Sequence, residues 1–218
     1  MLDLDGTLVD TNHLHVIAWC RAFRRTGHDV PMYRIHQLIG MGGDDLIAEL
    51  VGHDAPEVSE AWAEEFHHLR PEVRALPGAR DLVRELHTRH QVVVFASSAP
   101  EEDVSAFREL LDVEEWIAGA TSTDDAEAAK PHPDIFEVAM DRFDLDPAAT
   151  LAVGDAVWDA RAAARAGIGF IGVESGGTSR EVLAAEGALH VACDPAALTE
   201  LLRCGGIAGL RSPQHQEH

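Results

Sequence analysis

The sequence predicts an α/β fold: a parallel sheet covered by helices, with a small all-helical unit inserted near its start. Two observations carry this. From about residue 79 onward, helix-patterned stretches alternate with short apolar runs, the order expected of successive βα units. Between about residues 12 and 74 the pattern is helical throughout, with no strand-like run.

Taken in order, the elements are justified as follows. Only Met1 and Leu2 precede the acidic pair Asp3 and Asp5, where a sheet of this kind calls for a full apolar strand. Either the start is assigned late or the central strand is truncated. A short strand predicts unpaired groups on its neighbours, and an α-amino group of Met1 within reach of the acidic pair. In the insert, Val16, Trp19, Cys20 and Phe23 fall at i, i+3, i+4 and i+7 before Gly27, and Val58, Trp62, Phe66 and Leu69 line a second helix before Pro71. Between them, Gly40-Met41-Gly42-Gly43-Asp44-Asp45 reads as a turn followed by helix caps. The chain crosses between the two units near 9–11 and 75–78.

Beyond the insert, 79–90 is a helix with Leu82, Val83 and Leu86 on one face, and 91–97 a buried strand ending in small polar residues. Helix 101–111 follows, then a weak strand at 117–120 and a helix opened by Pro133. Strand 150–153 runs into Gly154-Asp155. Helix 158–166, strand 169–173, helix 180–186, strand 189–192 and helix 195–203 complete four or five βα units. The expected organisation is an α/β core of residues 1–11 and 75–211, an insert of 12–74, and a frayed polar tail of 212–218.

Composition narrows the function. With 218 residues the chain is long enough for a substantial core, and its three cysteines, Cys20, Cys193 and Cys204, form neither a disulfide scaffold nor a Cys zinc cluster. No apolar run reaches the ~20 residues of a membrane span, and no basic leader follows Met1, so a cytoplasmic protein without membrane contact is expected. A formal charge of −21 repels polyanions and argues against nucleic acid as a partner. Small anionic substrates stay open, because a bound divalent metal sets the sign inside its own pocket.

Four segments carry chemistry. In Asp3-Leu4-Asp5-Gly6-Thr7-Leu8-Val9-Asp10 two carboxylates at i and i+2 point to one side of an extended chain, and Gly6 lets the backbone approach an anionic ligand. An acidic surface turn would look similar. Ser97-Ser98 ends a buried strand with hydroxyls and amides that can hold phosphate oxygens, Lys130-Pro131 precedes a helix start, and Gly154-Asp155 with Asp159 adds two acids after another strand. Each alone has a bland alternative: strands often end in Ser, a loop lysine is common, and Asp155 would serve as an N-cap. Together they fall where open parallel sheets bind ligands. Their inventory is that of Mg²⁺-assisted phosphoryl transfer.

The order of these motifs resembles the haloacid-dehalogenase superfamily, whose core is a Rossmann-like parallel sheet, over nearly the whole chain. The helical insert after the first motif resembles the cap of the branch that holds phosphoglycolate phosphatases and β-phosphoglucomutases. The resemblance implies that Asp3 is the nucleophile and Asp5 the acid/base. It implies further that Asp3, the Asp5 carbonyl and Asp155 hold Mg²⁺ with Asp159 orienting that site, and that Gly6, Thr7, Ser97, Ser98 and Lys130 bind the phosphoryl group. Dehalogenases of the superfamily carry an aromatic residue where Asp5 stands, and its transport ATPases a threonine.

In the insert, Asn12, His13, His15 and Gly43 are expected to face the substrate, His15 standing where phosphomutases and some phosphatases of the branch have a histidine. Packing or capping explains His15 equally well. The mutases place a cationic residue near the Gly40–Asp45 turn, and Gly43 and Asp44 offer none. The expected function is therefore a Mg²⁺-dependent phosphatase of a small phosphorylated metabolite, as a monomer or weak homodimer. A sugar phosphomutase is the alternative enzyme. A receiver-like phospho-accepting domain is the non-enzymatic one, but such domains are shorter and lack a helical insert.

Overall fold

A computed structural model of the chain describes residues 1–126 and 128–205. The expected tail at 212–218 lies outside the described residues. Five parallel strands form the sheet: β1 (Val94–Ala96), β2 (Gly119–Thr121), β3 (Leu151–Gly154), β4 (Gly169–Val173) and β5 (His190–Ala192). β1 pairs with β2, and β3, β4 and β5 pair in sequence order. The chain's first residues join the two groups. Leu2 bridges Phe95 on one side and Val153 on the other, both in parallel, so Met1–Asp3 stands at the centre of the sheet.

That central segment is paired on both sides, and its amino group lies elsewhere than expected. Leu2 N donates to Val94 O at 2.8 Å, Ala96 N to Leu2 O at 2.9 Å, Asp3 N to Val153 O at 2.9 Å and Val153 N to Met1 O at 3.0 Å. The α-amino group of Met1 is buried and donates to Leu151 O at 2.7 Å, at the start of β3. It therefore lies at the opposite end of the strand from Asp155, away from the acidic residues. Burial lowers it to about 5. The strand expected at 91–97 is regular only over Val94–Ala96, where Leu2 flanks it. Below Met1, a groove of about 790 Å³ separates Gln91, Val92 and Val93 from Thr150 and Leu151, and Val92 is exposed.

Helices cover both faces. One face buries Leu82 and Val83 of α5 (Ala79–Thr88), Val104, Phe107 and Leu111 of α6 (Glu101–Leu111), and Leu198 and Leu202 of α10 (Pro195–Arg203). The other buries Ile135, Phe136, Ala139 and Met140 of α7 (Asp134–Phe143), Ala160, Ala162 and Ala163 of α8 (Val157–Arg165) and Leu183 of α9 (Arg180–Ala185). The i, i+3, i+4 spacing of these residues is what lays each helix flat on the sheet.

Residues 12–69 are helical with a core of their own. α1 (Asn12–Arg25), α2 (Met32–His36), α3 (Gly43–Val51) and α4 (Pro56–Leu69) enclose Trp19, Phe23, Ile35, Leu46, Ile47 and Val58. The two crossings run side by side. Val9 and Ala75 form an antiparallel bridge, Asp10 N donates to Arg74 O at 2.8 Å and Leu76 N to Leu8 O at 2.9 Å.

Candidate active site

The site lies at the carboxyl ends of the central strands, where parallel chains leave the sheet together. Asp3 is placed by its N–H bond to Val153, and the chain then turns sharply: Gly6 N donates to Val9 O at 2.9 Å and Leu8 N to Leu4 O at 2.8 Å. The turn requires φ +67° at Gly6, and a Cβ there would come within 2.5 Å of Asn12 Nδ2 and 2.6 Å of Asp155 Oδ2. Only glycine fits both demands.

Lys130 reaches this turn from the loop before α7. Its Nζ donates to Asp3 Oδ1 at 2.7 Å and to Ala96 O at 3.4 Å, and pairs with Asp159 Oδ1 at 2.6 Å. The ammonium is buried, a position a lysine takes only when paired. Burial disfavours its charge, but Asp159 and Asp3 outweigh that and hold Lys130 above its ordinary range. Asp159 uses its other oxygen to cap α8, accepting from Ala156 N at 3.0 Å. Asp155 accepts from Thr7 Oγ1 at 3.0 Å and Asn12 Nδ2 at 2.8 Å.

Ligand atoms of Asp3, Asp155 and Asp159 all lie within 4.8 Å of one another, and all three residues are buried. One ammonium faces three carboxylates. Burial, then Asp159, pushes Asp155 up to about 7 against the bonds from Asn12 and Thr7. Asp3 is likewise raised well above the carboxylate range, by burial first, with Lys130 opposing and Asp159, Asp155 and Asp5 adding to it. A hard divalent cation relieves this excess charge, since it prefers carboxylate oxygens. Asn12 Oδ1, buried without a partner beside Asp155, is a further oxygen in the same place. The donor set fits Mg²⁺.

Asp5 is separate from this cluster. Its Oδ1 accepts from Thr11 Oγ1 at 2.6 Å and lies 3.0 Å from His15 Nε2. Burial raises Asp5, but the bonds from His15 and Thr11, with the nearby Lys130, bring it below its ordinary value. His15 is itself fixed by stacking on Phe66 at 4.2 Å between ring centroids. Ser97 is fully buried, its Oγ accepting from Ala99 N at 3.1 Å, whereas Ser98 Oγ has no partner. A cavity of about 620 Å³ opens beside Asp5, His15 and Ser98 and reaches the insert at Gly43, Trp19 and Trp62.

Three side chains expected at the substrate have other partners in this structure. The Thr7 hydroxyl is engaged by Asp155 rather than directed at a phosphoryl group, and Asn12 also joins Asp155 instead of lining the cavity. His13 is exposed and packs on His36, with centroids 5.4 Å apart. Gly6 shapes the turn. Sequence reasoning missed Thr11, whose hydroxyl polarity at a helix start was the available signal, and the 175–176 turn after β4. There, Ser175 Oγ donates to Gly6 O at 2.7 Å, and Asn12 Nδ2 donates to Gly176 O at 3.0 Å.

Strand-end carboxylates, a buried lysine between two of them, and a helical insert over the cavity define an α/β enzyme of phosphoryl-transfer chemistry. The chain belongs to the haloacid dehalogenase-like hydrolases, whose family model matches residues 1–167. It is similar to the validoxylamine A 7'-phosphate phosphatase of Streptomyces hygroscopicus subsp. limoneus, 26% identical over 178 residues, covering 79% of this chain and 84% of that protein. Pyrophosphatase PpaX of Oceanobacillus iheyensis is 28% identical over 158 residues, 71% of this chain and 73% of that protein. Among solved structures, a hydrolase from Pseudomonas syringae superposes with a TM-score of 0.86 at 31% identity, covering 93% of this chain and 96% of that one.

Proposed function

We propose that the protein is a Mg²⁺-dependent phosphatase that hydrolyses a small phosphorylated metabolite through an aspartyl-phosphate on Asp3. The observation that carries this is the buried arrangement of Lys130 between Asp3 and Asp159, with Asp155 in the same cluster and Asp5 at the cavity wall. Asp3 and Asp155, with the Asp5 carbonyl, would hold the cation. When bound, Mg²⁺ neutralises charge on the attacking carboxylate and the phosphate oxygens.

This chain's residues then divide the work. A carboxylate oxygen of Asp3 attacks phosphorus while the bond to the ester oxygen breaks, and Asp5 gives the departing alkoxide a proton. In the second half Asp5 takes a proton from water, whose oxygen attacks phosphorus and releases the Asp3 carboxylate. Asp5 starts as a carboxylate because of His15 and Thr11. The arriving phosphate dianion raises its proton affinity, as any like charge does, so that Asp5 takes up a proton from solvent as substrate binds and is then ready as an acid. Lys130 and the Ser97 segment hold the transferring phosphoryl oxygens.

We propose further that residues 12–74 act as a cap over a core of 1–11 and 75–211. The names of the two relatives, a phosphatase and a pyrophosphatase, support hydrolysis over mutase chemistry. So does Gly43 beside Asp44, where a mutase needs a cation for a second phosphate. The test is turnover of a panel of phosphomonoesters with Mg²⁺ and after metal stripping with chelator. Activity is expected only with the metal, and undiminished turnover without it would overturn the proposal.

A further inference from the structure

The cavity beside Asp5 has walls of one sign. Among the described residues lining it are the carboxylates Asp5, Asp44, Asp45 and Asp103 and the imidazoles His15 and His132, with no lysine or arginine. Asp103 is compensated from behind, its carboxylate 2.6 Å from Arg70 Nε, and His15 is held by Asp5. Asp44 and Asp45 are exposed at the start of α3 and form no ion pair among the described residues. Lys130, the cation nearest the chemistry, lies buried behind the cavity, between Asp3 and Asp159.

The rest of the wall suits a polyhydroxylated body. Trp19 and Trp62, stacked on each other with centroids 5.0 Å apart, are among the cavity's lining residues. Trp62 Nε1 and Ser98 Oγ are buried hydrogen-bonding atoms without partners, and buried polar atoms normally have them. A ligand with hydroxyl groups provides such partners.

Building on the phosphatase reading above, we propose that the site selects phosphomonoesters whose remaining body bears hydroxyl or amino groups and no second anionic group. A second phosphate or a carboxylate meets Asp44 and Asp45 with no lysine or arginine among the described lining residues to pair it, and like charges brought together are disfavoured. An ammonium or hydroxyl group meets acceptors instead.

Three probes of similar size vary the charge of the body: glucosamine 6-phosphate, glucose 6-phosphate and 6-phosphogluconate. Each is assayed with Mg²⁺ at pH 8, above the ordinary imidazole range, as a substrate and as a competitor of p-nitrophenyl phosphate hydrolysis. The expected result is that 6-phosphogluconate is at least about tenfold weaker than glucose 6-phosphate in kcat/KM or inhibition constant, with glucosamine 6-phosphate at least equal to glucose 6-phosphate. The double variant Asp44→Lys, Asp45→Lys should narrow or reverse that gap. A 6-phosphogluconate as good as glucose 6-phosphate overturns the inference while leaving the phosphatase reading intact, and a gap unmoved by the double variant overturns its assignment to these two residues. Failure to turn over p-nitrophenyl phosphate with Mg²⁺ would instead overturn the phosphatase reading itself.

Discussion

Asp5 accepts both of its side-chain hydrogen bonds on one oxygen, Oδ1, from Thr11 and His15, which leaves Oδ2 without either. A carboxylate tethered on one side can exchange a proton on the other without losing its place. Asp5→Asn keeps the shape and removes that proton. Turnover of alkyl phosphates should then fall by about 10²–10⁴-fold, the usual worth of general acid–base catalysis. An activated donor such as acetyl phosphate needs no acid, so an acid-stable, hydroxylamine-labile phosphate should accumulate on the N-terminal peptide. Wild-type turnover of alkyl phosphates by the variant would refute the role given to Asp5.

Two of the buried carboxylates, Asp155 and Asp3, also set a dependence of stability on pH. Asp155 is pushed up to about 7 from an ordinary 3.8, so between those values the folded protein binds more protons at this group than the unfolded chain does. Its contribution to stability is therefore fully present below about 4 and is lost as pH rises towards 7. Asp3 acts in the same direction. Mg²⁺ bound to the ionised forms, as proposed above, would cancel the loss. The melting temperature of chelated protein should fall relative to Mg²⁺-saturated protein as pH rises from 5 to 8, and a gap that stays constant would contradict the cluster's role.

At the scale of elements, the turn after β4 packs against Gly6 of the first motif and against Asp155. A Cβ on Gly176 would stand 1.6 Å from Asp155 Oδ2 and 2.6 Å from Asn12 Nδ2, so no side chain enters without moving both. Gly176→Ala should weaken Mg²⁺ affinity by about 10–100-fold, the range seen when support of a metal ligand is lost, and lower the melting temperature. Gly52→Ala is the comparison. At Gly52 φ is +88° with nothing within 4 Å of a Cβ, so that variant should lose stability with unchanged Mg²⁺ dependence. Equal Mg²⁺ affinity in both variants would count against the steric argument.

Element types were legible because period decides them. Val104, Phe107 and Leu111 fix α6 at Glu101–Leu111, and the continuous apolar run at 169–173 is β4. The extent of β1 was not legible, since 91–97 is uniformly apolar at its centre while pairing depends on which neighbour lies alongside. Asp3, Asp5, Lys130, Asp155 and Asp159 stood out as acids and a lysine at strand ends. The Asn12 contact to Asp155 spans 143 positions and the Ser175 contact to Gly6 spans 169, and no local pattern marks either.

For the whole molecule, the insert meets the core near the site, where its Ala18 and Phe66 join the apolar cluster that holds Leu8 and Phe107. Gly42 N donates to Lys130 O at 3.3 Å, Arg70 at the end of the insert pairs with Asp103 of α6, and two antiparallel crossings join the units. A body joined by two crossing strands can move as a unit about them, and closure excludes water from the phosphoryl centre. The insert is therefore expected to act as a lid. Amide exchange at 40–43 and across the crossings at 9–11 and 75–78 should slow when Mg²⁺ and a phosphate analogue such as beryllium fluoride are added. Exchange that is identical with and without them would exclude a lid.

By itself the sequence determined that a parallel sheet forms, that helices interrupt it after the first motif, and which acidic, serine and lysine residues gather where its strands end. Those features are local: periodicity dictates each element, and parallel strands must deliver their carboxyl ends to one edge. Only the tertiary structure decided that Met1–Asp3 occupies the centre of the sheet, that the Thr7 hydroxyl and the Asn12 amide bond Asp155, and that the cavity between insert and core is walled, among the described residues, by carboxylates without a lysine or arginine. Each of these depends on which distant residues are brought within 3–4 Å, and that is fixed by packing the whole chain rather than by any segment of it.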